Sequence, residues 1–95
     1  MQETRQMANG SFTVLNDKGL HTRPSTELVK CALRYKSQIH LLYQNMTVDA
    51  KSLLGILALA ASKGSKIEVE TFGEDCQLAL DAIVELAYKK FNIHY

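Results

Sequence analysis

Gln38-Ile39-His40-Leu41-Leu42-Tyr43-Gln44-Asn45-Met46-Thr47-Val48-Asp49-Ala50 is the stretch on which the fold turns. Its side chains alternate with period two: Ile39, Leu41 and Tyr43 share one face, and His40, Leu42 and Gln44 the other. Gln44-Asn45 can close a tight hairpin, because Asn tolerates a positive φ. Met46, Val48 and Ala50 then point inward, with Thr47 and Asp49 outward. The stretch therefore reads as two short strands with one polar face each, the mark of an antiparallel sheet with one side in water.

Towards the N-terminus, Thr22 to Lys36 has helical spacing, with Leu28, Ala32 and Tyr35 on one stripe. Pro24 fits only the first turn of that helix, where a missing N–H costs nothing. Phe12 and Val14 alternate with Ser11, Thr13 and Leu15 as a strand, and Asn16-Asp17-Lys18-Gly19 is a turn. Residues 1–10 are polar and aperiodic and read as a flexible leader, leaving 11–95 as one domain. Towards the C-terminus, Ser52 to Ala60 is a short apolar helix that Lys63-Gly64-Ser65 breaks. Lys66 to Phe72 alternates cleanly, with Ile67, Val69 and Thr71 on one side. Gly73-Glu74-Asp75 opens a last helix to about Phe91, with acids at its start, Lys89-Lys90 at its end and a Glu85–Lys89 pair one turn apart. The order β-α-β-β-α-β-α predicts a two-layer α+β fold, an open-faced β-sandwich with three helices on one face of a four-stranded antiparallel sheet.

Ninety-five residues allow a single core, and Lys plus Arg exceed Asp plus Glu by 11 to 10, a net charge of +1. That balance argues against nucleic acid as a partner. The longest apolar-plus-Gly run, Leu53 to Ala61, is about half of what a membrane-spanning helix needs. With no apolar segment behind a basic start, the expectation is a cytoplasmic protein whose Cys31 and Cys76 are buried thiols. Chains this short rarely build a deep catalytic cleft, which favours a carrier or binding domain.

Chemistry concentrates in Gly19-Leu20-His21-Thr22-Arg23-Pro24. The N–H groups of a first helical turn and the positive end of the helix dipole attract anions. His21 stands directly before that turn, and Arg23 offers a planar cationic fork. Arg23 has no side-chain acceptor with which to cap the amides, although Thr22 has one. A phosphoryl group carried on the His21 ring would face those donors. No second base, carboxylate pair or nucleophilic triad accompanies His21, so a carrier fits better than an independent enzyme.

These residues resemble the active-site signature of HPr, the histidine-containing phosphocarrier of the bacterial sugar phosphotransferase system. Ala50-Lys51-Ser52-Leu53-Leu54-Gly55 resembles the same family's regulatory-serine segment, at the expected distance. The resemblance runs without gaps from about Phe12 to Phe91. It implies that His21 accepts a phosphoryl group on Nδ1 from enzyme I and passes it to enzyme IIA domains, with Arg23 orienting the phosphate and Thr22 and Pro24 shaping the helix start. It implies that Ser52 is a target of HPr kinase/phosphorylase, where the plain alternative is an N-cap. It further implies a docking patch of Leu53, Leu54 and Leu57, with Lys30 steering acidic partners, where the plain alternative is core packing and a solvated face. A monomer without cofactor or metal is expected.

Three departures from the family are visible: Ala60 where many relatives have Gly, Leu33 at a basic position, and a basic, aromatic tail from Lys89 to Tyr95. None touches His21 or Arg23. Two other readings remain: a mainly regulatory member of the family, and a ferredoxin-like metal- or RNA-binding domain, which would lack the last helix.

Overall fold

Antiparallel pairing builds a four-stranded sheet in the order β1-β4-β2-β3. In a computed structural model describing residues 6–93, the strands are β1 Met7–Thr13, β2 Gln38–Tyr43, β3 Met46–Asp49 and β4 Lys66–Phe72. The helices are α1 Thr22–Ala32, α2 Leu53–Ala58 and α3 Cys76–Tyr88. The expected order and open-faced architecture are the ones found.

Gln44 and Asn45 close the β2–β3 hairpin with φ of 48° and 65°, the left-handed pair that matches the strands' twist. Ile39 and Leu41 of β2 and Ile67 and Val69 of β4 are fully buried, facing Leu28, Ala32, Ile56 and Ile83 from the helices. Met46 is exposed rather than buried, because it stands at the outer end of an edge strand. Thr71 is buried within β4, its hydroxyl 2.9 Å from the Cys76 carbonyl and 3.2 Å from that of Ala8.

The structure moves four expected boundaries. β1 begins at Met7, so residues 7–10 of the expected leader belong to the sheet, each paired with β4 from Met7↔Phe72 to Gly10↔Val69. The signal was hidden because Gly10 has no side chain to show alternation. A Cβ there would lie in van der Waals contact with Leu80 of α3 at 3.4 Å.

Helix α1 stops at Ala32 instead of Lys36. The Asp75 carboxylate accepts the N–H groups of Lys36 and Ser37, both at 2.9 Å, and the Ser37 hydroxyl, which draws the chain out of the helix. Asp75 thus flanks α3 without capping it. Helix α2 ends at Ala58, and Ala60 adopts φ 49°.

Helix α3 ends at Tyr88, followed by a turn in which Lys90, Phe91 and Asn92 all have left-handed φ of 55°, 56° and 62°. Each left-handed L-residue costs roughly 1–2 kcal/mol, less for Asn. Full burial of Phe91, edge-on to Phe12 with ring centroids 5.9 Å apart, offsets that cost. The expected Glu85–Lys89 ion pair is present at 3.2 Å. Among the described residues no helix is long and apolar enough to cross a membrane. Cys31 is buried and Cys76 half-buried, both as free thiols.

Candidate functional site

A locked turn presents His21. Gly19 has φ 71°, and a Cβ there would lie 2.4 Å from the Ala61 carbonyl oxygen, so no other residue fits without moving the backbone. The Gly19 N–H donates to the Asn16 carbonyl and the Leu20 N–H to the Ala61 carbonyl, both at 2.9 Å. On the far side, the buried Ser25 hydroxyl donates to the Leu20 carbonyl at 3.0 Å, and the Ser25 N–H donates to the His21 carbonyl at 3.1 Å. Lys63 Nζ reaches the Asp17 carboxylate at 2.9 Å, joining this turn to the loop after α2 and holding the Asp17 carboxyl below the usual carboxylate range. The sequence signal for Gly19 was plain once the turn was recognised. Ser25 and Ala61 could be found only from the folded contacts.

His21 is the N-cap residue of α1, with an extended backbone at φ −85° and ψ −165°. The His21 side chain makes no capping hydrogen bond, and the Thr26 hydroxyl donates to the Thr22 carbonyl at 2.8 Å. Pro24 is the third helical residue and is buried, at a position where its missing N–H costs no intrahelical bond. The His21 ring is half-buried, and Arg23 is exposed beside it. Arg23 forms one wall of a recess of about 300 Å³ together with Thr26, Glu27, Asn92 and Ile93, so the tail beyond Lys89, expected to stand clear of Arg23, reaches its recess.

Helix α2 runs antiparallel to α1. The Lys51 ammonium donates to the Tyr35 carbonyl beyond the C-terminal end of α1, while Ala61 meets Leu20 at its N-terminal end. Ser52 therefore lies about one α1 length from His21, ~16 Å for 11 residues. Its hydroxyl accepts the Gly55 N–H at 3.0 Å as the N-cap of α2. Of the three leucines expected to form a docking patch, Leu54 is 80% exposed, whereas Leu53 and Leu57 are half-buried. Lys30 is exposed and paired with Glu27 at 3.2 Å.

Larger grooves, of about 480 and 660 Å³, lie between α1 and α3 and at the hairpin end of the open sheet face; neither includes His21. Burial pushes the Cys31 thiol up, with Arg34 opposing it. Among the described residues no group of three His, Cys, Asp or Glu side chains could hold a metal ion.

Fold and loop together define a small open-faced α+β domain that carries a histidine as the N-cap residue of its first helix. Comparison with known proteins makes that class specific. A family model described as the phosphorylation site of the PTS HPr component matches residues 8–89. A phosphocarrier protein HPr from Cupriavidus necator is 40% identical over 86 residues, which is 90% of this chain and 97% of the relative. The crystal structure of HPr-C-His from Thermoanaerobacter tengcongensis superposes with a TM-score of 0.87 at 33% identity, covering 93% of this chain and 99% of that one. An HPr dimer from the same organism gives 0.72 at 34% identity, over 96% and 98% of the two chains. The chain belongs to the HPr phosphocarrier family.

Proposed function

We propose that this protein is a stoichiometric phosphoryl carrier in which His21 takes a phosphoryl group from enzyme I and hands it to enzyme IIA domains. The single observation that carries the reading is the His21 ring at the start of α1, within its family's signature. The Nδ1 lone pair attacks phosphorus, the donor's phosphorus–nitrogen bond breaks, and that bond's electron pair returns to the donor imidazole. The transferred group then lies at the positive end of the α1 dipole, with the Arg23 guanidinium as a planar fork. Stabilisation has to be modest, because a carrier that held the group tightly would not release it. Thr22 and Pro24 shape the helix start.

Leu54, flanked by Leu53 and Leu57, docks partners through a small apolar contact suited to rapid exchange, and Lys30 steers acidic surfaces towards it. The protein acts in the cytoplasm, as a monomer, without metal or cofactor. The dimeric relative makes sedimentation the direct check on the monomer.

Ser52 is a regulatory phosphorylation site for HPr kinase/phosphorylase. Negative charge is tolerated at a helix start, yet it would repel an acidic partner docking on Leu54 two residues away.

Incubation with enzyme I and labelled phosphoenolpyruvate tests the relay. Acid-labile label is expected on the wild type and none on His21→Ala; label that survives this substitution refutes the assignment. With ATP and the kinase, acid-stable label is expected on the wild type and not on Ser52→Ala.

A further inference from the structure

Asn16 is 3% exposed and makes contacts in two directions. Its backbone carbonyl accepts the Gly19 N–H, the bond that closes the turn before His21. Its side-chain Nδ2 donates to the Lys90 carbonyl at 2.9 Å, across 74 positions of sequence. Its Oδ1 is buried and has no hydrogen-bond partner among the described residues.

The acceptor of its one side-chain bond belongs to a strained segment. Lys90, Phe91 and Asn92 are three consecutive non-Gly residues with left-handed φ. That turn delivers Asn92 and Ile93 to the recess they share with Arg23 and Thr26. Asn16 therefore connects the loop that presents His21 with the wall that faces Arg23.

We propose that Asn16 is a positioning residue for phosphoryl transfer, holding the Lys90–Asn92 turn so that its far end fixes the setting of Arg23 beside His21. The inference rests on the carrier function assigned above. Loss of the Nδ2 donor leaves the Lys90 carbonyl without its buried partner and lets the left-handed turn relax. The wall beside Arg23 then shifts, and a small misplacement of an orienting group slows transfer without weakening partner docking.

The test uses the full chain with phosphorylated enzyme I. Asn16→Asp keeps the shape and, with its carboxyl ionised, removes the donor. It is expected to lower kcat for transfer about tenfold with KM unchanged, an effect of misorientation. Combined with Arg23→Ala, it should slow transfer no further than Arg23→Ala alone, because both changes act on one orienting group. A raised KM at constant kcat, or effects that multiply, overturns the proposal. Should Asn16→Asp fail to fold, the wild type still decides. The Asn92 and Ile93 amide resonances are expected to shift when His21 is phosphorylated, and their constancy refutes the link. If the wild type accepts no phosphoryl group, the carrier reading fails; if it does and Asn16→Asp matches it in kcat and KM, only the role of Asn16 fails.

Discussion

Ala60 holds a left-handed backbone at φ 49° that an L-residue with a Cβ adopts only at a cost. The reason it does so lies one residue on, where the Ala61 carbonyl has to receive the Leu20 N–H and brace the turn before His21. Ala60→Gly removes the steric penalty, so a stability gain of about 1 kcal/mol is expected, read as a higher urea midpoint at unchanged slope. A midpoint that stays or falls would show the conformation to be unstrained. The departure at Ala60 was visible in the sequence. Its outcome, a helix that still ends before it, was not, because the hydrogen bond deciding it joins two distant segments. Gly19 makes the complementary case: at φ 71° against the Ala61 oxygen, its identity follows from close approach as much as from the turn.

At the scale of elements, ends are set by side chains that leave their own segment. Ser52 caps α2 locally, and its place at the start of the short apolar helix was readable before the fold was known. Ser52→Ala should cost about 1 kcal/mol, while Ser52→Asn, a competent cap, should retain most of it; thermal melts of the two variants separate capping from the loss of the proposed phosphorylation target. Asp75 acts at a distance. The Ser37 hydroxyl, followed by the Lys36 amide, holds its carboxyl below the usual carboxylate range. Because the folded-state value is depressed, this stabilisation is complete above the unfolded-state pKa, about 3.9, and is lost as pH falls through the folded-state value. Asp75→Asn should therefore be less stable than wild type at pH 7 and lose less on acidification. The measurement is the difference in Tm between pH 7 and pH 3, and an equal difference in both proteins would remove Asp75 from the acid response. The early end of α1 was hidden in the sequence for the same reason, since nothing within Thr22–Lys36 itself stops the helix.

Across the whole molecule, the antiparallel packing of α1 and α2 sets His21 and Ser52 at opposite ends of α1. Leu54 is 80% exposed and contributes little to the core. Leu54→Asp is expected to change stability by less than about 0.5 kcal/mol. The same substitution should raise KM for phosphorylated enzyme I about tenfold, equivalent to about 1.4 kcal/mol of docking energy. Calorimetry and steady-state transfer on one preparation check both halves. An unchanged KM would move the docking surface elsewhere, and a large loss of Tm would return Leu54 to the core.

The chain's own letters determined the element order, the antiparallel sheet and the loop of Gly19 to Pro24, because period-two and helical alternation, turn residues and helix-start chemistry are all local. Tertiary structure alone decided where β1 begins, where α1 and α3 stop, and that Asn16 reaches Lys90. Each of those outcomes hangs on a hydrogen bond or strand pairing between residues dozens of positions apart, whose free energy exists only after both partners have been brought together and removed from water.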